Sequence, residues 1–586
     1  MKKIISLILT LALCLGSLML LASCGAPEDD GAEISVYLGE EVYDFDPTDY
    51  YADSNQATLM SLLFEPLFKL SREGNLLTEG VAKKYKVWED SRTIVIELRE
   101  TYWSDEQRVT AADFVYAWRN ILSEPTKPNP AAALLYDIEN AAEIKRGEKS
   151  IFEFGAVASG TYELTVTYRE GADYNMLLKN LASVATSPVR QDVYDTAPGY
   201  WTKVLNYATT NGPFKIGEVD YADGSFTVTR NIGYHQAPTT VNYTKQVRPG
   251  TLVSLMNADG STAKYTYSDI ENYAVFYMSE ASLADRAEHK DSATVVDALS
   301  TYTYVFNTDN PLFKNKDIRR ALSMAIDRNA IASAIVFGEA ATGFVGNAVI
   351  DTASGKSFRE GYALIDGAAK LTEARAILNS VQGFSGMDKK FSITVDTSEE
   401  SVKIAELVKT AWKSLGFDVS VKKVDTRKIE TVDFKNGENI TVYDSEIQAL
   451  INEASLGNRN FDVIGIDWQM YSTDAFVALS ALSTDFSGCG TQFGESGLFS
   501  SFGGWKNSEY NKLIKEAYEA TDKAVRMEKL HQAEAIVVAE APIVPLVFNQ
   551  NFAFHNKDLS KFWFDGYGNV VFNEAKQRNY EQYLKG

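Results

Sequence analysis

A strand-helix-strand pattern between residues 391 and 421 restricts the fold of this chain more than any other feature. Apolar side chains alternate over residues 391–395, recur at helical spacing over 404–415, and alternate again over 417–421. Gly416 stands where a helix C-terminal cap belongs. This order predicts two parallel strands joined by a right-handed helical crossover. Sheets of this kind place ligand clefts at their strand ends, so we expect an α/β protein with room for a ligand.

Strand and helix patterns also alternate elsewhere in the 586 residues. Residues 93–98 alternate as a half-buried strand does, and the capping box Thr110 to Asp113 precedes a helix of about three turns. Apolar residues make up 45% of the chain and charged residues 23%, as in an average globular protein. This composition excludes wholesale disorder, a collagen-like repeat and a protein with many membrane spans.

The first 24 residues indicate where the protein resides. Lys2 and Lys3 are followed by an uncharged stretch over residues 4–22, which is typical of a secretory signal. That stretch is also just long enough for a transmembrane anchor. The sequence Leu21-Ala22-Ser23-Cys24 favours the first interpretation, because it resembles the bacterial lipobox, in which the cysteine carries lipid. We therefore predict a signal peptide over 1–23, lipidation of Cys24, a tether over 24–32, and a location on the outer face of the cytoplasmic membrane.

Cysteine content and net charge limit the other possibilities. The three cysteines are Cys14, Cys24 and Cys489. Only Cys489 remains after signal removal and lipidation, so we expect no intramolecular disulfide. The formal net charge of -22 repels phosphate backbones and argues against nucleic-acid binding.

Sequence signals for catalysis or cofactor binding are weak. The chain has no Gly-x-Ser-x-Gly elbow and no His-Glu-x-x-His zinc motif. Gly355-Lys356-Ser357 lacks the upstream glycine of a phosphate loop, because Ile350 takes that position. The four histidines are not paired at metal-ligand spacing. We expect neither an enzyme nor a bound metal or cofactor. An extracellular hydrolase remains only as the last alternative, after the two binding functions given below.

Several separated segments together resemble one protein family. In chain order they are Asp44-Phe45-Asp46-Pro47, Phe64-Glu65-Pro66-Leu67, Leu98-Arg99, Trp103-Ser104-Asp105, Val109 to Trp118, Asn211-Gly212-Pro213-Phe214, Arg230-Asn231, Asp317 to Leu322, Ala325 to Arg328 and Glu540 to Leu546. They resemble the extracytoplasmic solute-binding proteins of oligopeptide ABC importers. One departure is Glu106, which replaces the glycine that follows Trp-Ser-Asp in the family.

The resemblance implies an α/β fold of two lobes, like type II periplasmic binding proteins, with an extra subdomain in the first lobe. The first lobe would comprise residues 33–300, with the subdomain inserted at about 58–175. The second lobe would comprise 301–545, and residues 546–586 would return to the first. Two or three strands would cross between the lobes as the hinge.

The resemblance also locates a ligand loop over residues 467–474. In the family's peptide binders a Trp is followed three residues later by an Asp that pairs with the peptide's terminal ammonium, since a buried ammonium needs a carboxylate partner. Trp468 matches that Trp, but Tyr471 occupies the Asp position. Asp467 or Asp474 could replace the missing carboxylate, or the ligand could lack a free amino terminus, with Tyr471 stacking or hydrogen-bonding instead.

The sequence therefore predicts a membrane-anchored, monomeric binding protein that captures peptides and delivers them to ABC permease subunits. The second hypothesis keeps the importer but changes the solute to an oligosaccharide, metal chelate or signalling ligand. Tyr471 is its best support.

Overall fold

The computed structural model describes most of the chain beyond residue 32. The described residues are 33–40, 45–48, 54–123, 129–196, 201–202, 208–220, 225–236, 251–257, 264–424, 428–434, 438–444, 446–488 and 503–578. The predicted signal peptide, Cys24, the tether and Cys489 lie outside these ranges. Within the described ranges, no helix combines the length and the apolar character that crossing a membrane requires.

The described residues form fifteen α-helices and twenty-three strands. Helices α1 to α15 are, in order, Ser54–Leu63, Ala111–Ser123, Ala141–Lys145, Tyr174–Asn180, Gln191–Tyr194, Tyr267–Glu271, Leu283–His289, Lys316–Met324, Arg328–Ile335, Leu371–Ser380, Glu399–Ser414, Glu446–Ser455, Ala475–Ser480, Ser508–Glu519 and Lys523–Glu540. Strands β1 to β23 are, in order, Glu33–Glu40, Lys69–Leu70, Leu76–Leu77, Ala82–Trp88, Thr93–Leu98, Ala156–Gly160, Glu163–Thr167, Phe214–Asp220, Ser225–Arg230, Thr251–Asn257, Tyr277–Met278, Thr294–Phe306, Gly338–Ala340, Lys390–Val395, Asp418–Lys423, Lys428–Phe434, Glu438–Asp444, Val463–Gln469, Ile543–His555, Leu559–Ser560, Trp563–Phe564, Val570–Val571 and Lys576–Gln577.

One large mixed sheet organises the molecule. Its strand order is β15-β14-β18-β12-β19-β11-β1-β10-β9-β8, and β13 also pairs with β19. Strands β12 and β19 are the longest, with 13 residues each, and they pair antiparallel along most of their length. They join the β14–β15–β18 half of the sheet to the β1–β8–β9–β10–β11 half. Both halves of the molecule therefore depend on the same two strands.

The strand-helix-strand prediction is confirmed. Strands β14 and β15 are adjacent and parallel, and helix α11 connects them. Val408 and Trp412 of that helix are fully buried against the sheet. Gly416 has φ +93°, the left-handed conformation that ends a helix at little cost for glycine.

The second predicted unit is also present, as strand β5 and helix α2. Asp113 Oδ2 accepts hydrogen bonds from Thr110 N (2.8 Å) and Trp103 Nε1 (3.3 Å), which fixes the start of the helix. Strand β5 lies inside a separate four-stranded sheet of order β4-β5-β7-β6. The turn between β5 and α2 contains Glu106 at φ +68°, a conformation that favours the glycine found in the family.

The register between β12 and β19 breaks near the middle of both strands. Asp297 pairs with Gln550 and Thr301 with Phe548, so residues 298–300 of β12 lie opposite the single residue Asn549. Such a bulge bends a strand and increases its twist. The predicted lobe boundaries at 300/301 and 545/546 fall inside these two strands, and the four-stranded sheet lies within the predicted insertion. The exact division of the chain remains a prediction.

Candidate ligand-binding site

Strand β18 carries two of the predicted ligand residues beside the break in β12. Asp467 pairs with Tyr302 and Trp468 with Thr301 in the antiparallel ladder. Because neighbouring side chains of a strand point to opposite faces, Asp467 and Trp468 lie on different faces of the sheet. The two residues therefore cannot act as one contact surface.

Trp468 is a buried aromatic residue held by a specific neighbour. Its ring meets that of Phe344 edge to face, with centroids 5.2 Å apart and an interplanar angle of 90°. Phe344 O accepts a hydrogen bond from Thr301 Oγ1 (2.9 Å), which ties the Phe344 loop to β12. About 8% of the Trp468 surface stays exposed, so its ring edge is available to a ligand only in part.

A buried ion pair fixes the loop that presents Phe344. Glu534 Oε1 on helix α15 accepts hydrogen bonds from the backbone N–H groups of Phe344 (2.7 Å) and Val345 (2.8 Å). Arg359 pairs with the other carboxylate oxygen of Glu534. Burial nevertheless raises the pKa of Glu534 above its usual value, because Arg359 and the two N–H groups only partly offset desolvation. Helix α15 thus positions Phe344, the aromatic partner of Trp468, through Glu534.

Asp467 lies in a polar environment at the bulge. Its Oδ1 accepts a hydrogen bond from Asn549 Nδ2 (2.6 Å), and its Oδ2 accepts one from Gln469 Nε2 (3.1 Å). Asn549 Nδ2 also donates to Ser300 Oγ (2.8 Å). These two amides orient the Asp467 carboxylate at the bulge.

Further carboxylate and amide side chains lie next to Asp467 and Asn549, on strands β12, β13 and β19. Gln550 Nε2 donates to Asp297 Oδ1 (3.2 Å) and to Glu339 Oε1 (3.4 Å). Glu339 Oε2 accepts from Asn347 Nδ2 (2.8 Å). The region where the two halves of the sheet join is therefore acidic.

Tyr471 occupies the centre of the predicted ligand loop in a left-handed backbone conformation, with φ +56°. Its side chain is half-buried against the main core. The turn is closed by a hydrogen bond from Ser472 N to Met470 O (2.7 Å). A bulky non-glycine residue in this conformation is uncommon and costs about 1 kcal/mol or more.

Asp474 is buried, and both oxygens of its carboxylate are bound by other residues of the protein. It caps helix α13, with Oδ1 accepting from Phe476 N (3.1 Å). Arg526 of helix α15 binds both carboxylate oxygens, at 2.9 and 2.7 Å. Burial alone would lower the pKa of Arg526, but the Asp474 carboxylate outweighs that effect and leaves the pKa raised. Asp474 is thus placed as a structural residue.

The four predicted site residues therefore lie in four environments. Asp467 lies at the acidic bulge, Trp468 in an aromatic contact on the other face, Tyr471 in a left-handed turn against the main core, and Asp474 in an ion pair with Arg526. Sequence reasoning did not identify Phe344 or Asn549. The run Asn549-Gln550-Asn551 was the available signal, because three consecutive amides interrupt an otherwise apolar strand.

The arrangement of the sheet by itself indicates the class of protein to which this chain belongs. Two halves of one sheet are joined by two continuous strands, and ionisable and aromatic side chains collect where the strands cross. This is the arrangement of a two-lobed α/β solute-binding protein, whose lobes move about the connecting strands.

Comparison with known proteins then identifies the family. The family model described as "Bacterial extracellular solute-binding proteins, family 5 Middle" matches residues 77–488, well over half of the chain. The chain belongs to this family, as its sequence resemblance predicted.

Two curated relatives and one solved structure show how far the similarity extends. The chain is 26% identical to the dipeptide-binding protein DppE of Bacillus subtilis, covering 94% of this chain and 95% of DppE. It is 25% identical to the periplasmic oligopeptide-binding protein OppA of Haemophilus influenzae, with 96% of both chains covered. The crystal structure of that OppA in complex with RPPGFSPFR superposes with a TM-score of 0.73 at 22% identity, covering 94% of this chain and 99% of OppA. These neighbours are two-lobed periplasmic binding proteins, so the predicted fold class is confirmed.

Proposed function

We propose that this protein captures peptides between its two lobes and delivers them to the permease of an ABC importer. Its membership of the solute-binding family and its similarity to DppE and OppA along nearly the whole chain support this function. No chemical change of the solute is part of the proposal. Closure around a ligand would be stabilised by the ligand's higher affinity for the closed form.

We place the peptide's terminal ammonium at Asp467. The carrying observation concerns the other candidate: Arg526 binds both oxygens of the Asp474 carboxylate, which commits that carboxylate to the fold, whereas Asp467 lies where the two halves of the sheet join. A carboxylate at the junction of the lobes, oriented by hydrogen bonds from Asn549 and Gln469, can accept charge-assisted hydrogen bonds from a ligand ammonium. Backbone hydrogen bonds could hold the remaining peptide independently of its sequence.

A thermodynamic double-mutant cycle, which combines one substitution in the protein with one modification of the peptide, tests this placement. The peptide Arg-Pro-Pro-Gly-Phe-Ser-Pro-Phe-Arg and its N-acetylated form are titrated calorimetrically into wild-type protein and the Asp467→Asn variant. We expect each change alone to weaken binding about tenfold, as loss of a charge-assisted hydrogen bond would. The two changes together should weaken binding no further, because both remove the same interaction.

The exposed Asp309 offers a matched control, since it pairs with Arg459 just before the start of β18, at the opposite end of that strand from Asp467. Asp309→Asn should leave both affinities unchanged. Full additivity of acetylation and Asp467→Asn would show that the ammonium binds elsewhere. Equal binding of both peptides to all variants would contradict the ammonium site itself.

The proposal includes a lipid anchor at Cys24 and a monomeric state on the outer face of the cytoplasmic membrane. Its support is the lipobox resemblance of Leu21-Ala22-Ser23-Cys24. Metabolic labelling with an alkyne fatty acid should mark the wild-type protein and not Cys24→Ala. Labelling of both proteins, or of neither, would contradict lipidation at this residue.

A non-peptide solute is the second candidate, favoured by Tyr471 in the position of the family's acidic residue. Native mass spectrometry of protein purified from its host distinguishes the two. A set of peptide masses released on denaturation supports the first candidate, and one non-peptide mass supports the second.

A further inference from the structure

A second contact surface joins the two predicted lobes far from β12 and β19 in sequence. We call it the far interface, and it comprises residues 129–180 on the first lobe and residues 472–488 and 503–526 on the second. The second group is fastened to the second lobe, because Arg319 Nε on helix α8 donates to Glu540 O at the end of α15 (3.0 Å). Thr308 Oγ1 likewise donates to Gly503 O (3.0 Å). Contacts with residues 129–180 therefore bridge the lobes.

Tyr518 of helix α14 lies at the centre of the far interface. On its own lobe the ring packs against Phe486 (centroids 4.8 Å apart) and Phe476 (5.8 Å). From the other lobe, the Arg169 guanidinium carbon lies 3.8 Å from the centroid of the Tyr518 ring. The Tyr518 hydroxyl donates to Tyr136 O (2.9 Å), again across the lobes.

Arg169 is pre-positioned for this contact by its own lobe. Its guanidinium pairs with Asp137 at 2.6 Å, and the two side chains are only 13% and 12% exposed. The backbone also approaches closely beside it: a Cβ added to Gly171 would lie 3.0 Å from the Thr521 methyl group. Arg169 therefore presents an oriented, largely desolvated cation to the opposite lobe, the condition under which a cation–π contact is strongest.

The far interface also reaches the predicted ligand loop. Ser472 follows Tyr471 directly, and its hydroxyl donates to Asn180 Oδ1 (2.5 Å) with both residues buried. Opening the lobes would break this hydrogen bond and expose the Tyr518 ring face. Ser472, in the loop that carries Tyr471, thus makes this buried hydrogen bond only when the lobes are together.

From these contacts we infer that Arg169 and Tyr518 are positioning residues for ligand capture, which hold the lobes closed without touching the ligand. The inference rests on the proposed function and on the predicted division into lobes. A ligand that binds the closed form gains apparent affinity in proportion to the fraction of closed protein. The far interface raises that fraction, so its loss weakens binding through faster opening.

Single-molecule energy transfer on the full chain tests the inference. Two dyes are attached through unnatural amino acids at positions 83 and 403, exposed residues on opposite lobes. The closed-to-open ratio is measured with and without the peptide RPPGFSPFR in wild type, Arg169→Gln and Arg190→Gln. Arg190 is the matched control: its side chain is also 13% exposed, and its partners Asp105 and Asp192 belong to the first lobe.

Arg169→Gln should lower the closed-to-open ratio about fivefold to tenfold, both with and without peptide, as loss of a desolvated cation–π contact implies. Arg190→Gln should leave the ratio unchanged. Tyr518→Phe retains the ring and should produce a smaller loss, and Arg169→Lys should rescue Arg169→Gln in part. Circular dichroism of each variant shows that it has folded.

The possible results separate this inference from the proposed function. If the ratio falls in Arg169→Gln but peptide has no effect on any protein, the far interface stands and peptide capture fails. An unchanged ratio in Arg169→Gln overturns the inference. An equal fall in Arg190→Gln, or a wild-type protein that never populates the closed state, overturns it as well.

Discussion

Replacing Asp474 by Ala should destabilise the protein far more than loss of a helix cap alone. The cap hydrogen bond to Phe476 N accounts for about 1 kcal/mol. The change also leaves Arg526 without its bidentate partner, in a place where the two side chains are 2% and 12% exposed. Breaking a buried pair on one side costs about 3–5 kcal/mol. Together the two losses amount to about 4–6 kcal/mol, so at about 2–4 °C per kcal/mol for a lobe of this size the melting temperature should fall by roughly 8–24 °C.

Asp522→Ala provides the matched comparison. Asp522 caps helix α15 by accepting from Ala524 N and Val525 N, one turn before Arg526 on the same helix. Its loss should lower the melting temperature by only about 2–4 °C. Scanning calorimetry gives the melting temperatures of both single variants and of the double variant Asp474→Ala/Arg526→Met. The double variant should recover part of the stability lost in Asp474→Ala, because it leaves no buried charge without a partner. Equal shifts for Asp474→Ala and Asp522→Ala would refute the structural role, and a peptide-affinity loss without a thermal shift would restore Asp474 as a ligand residue.

Three further predictions concern backbone strain and acid stability. Glu106→Gly should raise the free energy of unfolding by about 0.5–1 kcal/mol in urea titrations, because φ +68° favours glycine. Gly416→Ala should lower it by about 1 kcal/mol in the same assay, since φ is +93° and no heavy atom lies within 4 Å of the added Cβ, so that only backbone strain acts. Burial lowers the pKa of His235 despite its 2.6 Å contact with Glu65, and its Nδ1 is buried without a partner, so the folded protein binds a proton at this imidazole less readily than the unfolded chain does. Stability should therefore decline as pH falls below about 6.5, by at most about 1.4 kcal/mol per pH unit from this residue, and His235→Gln should flatten that part of the urea-derived pH profile.

Local patterns predicted the fold well where one face of an element is buried. The alternation in β14 and β15 and the helical spacing in α11 are direct consequences of packing against one sheet, and Gly416 marks the helix end by its backbone conformation. The continuous sheet through both halves was not derivable in this way. Strands β12 and β19 read as apolar in sequence, but their pairing and the bulge at Asn549 depend on contacts between residues roughly 250 positions apart.

The sequence predicted the candidate site as a region, but the contacts of its individual residues could not be predicted. The family resemblance located residues 467–474, yet the choice between Asp467 and Asp474 depends on Arg526, which lies 52 residues beyond Asp474. Phe344 likewise reaches Trp468 from a distant loop held by Glu534. Ion pairs and aromatic contacts of this kind leave no trace in sequence spacing.

The surroundings of Tyr471 explain how the family's acidic residue could be lost without loss of the fold. On one side, Trp468 is held by Phe344 and the β12 ladder; on the other, Asp474 is held by Arg526 and the start of helix α13. The loop therefore keeps its path whatever side chain stands at position 471, except for the cost of a left-handed φ. An aspartate accepts that conformation more readily than a tyrosine, so the tyrosine is retained against a backbone preference. In the predicted ligand loop, the departure from the family's pattern therefore lies in the side chain at position 471 and not in the path of the backbone.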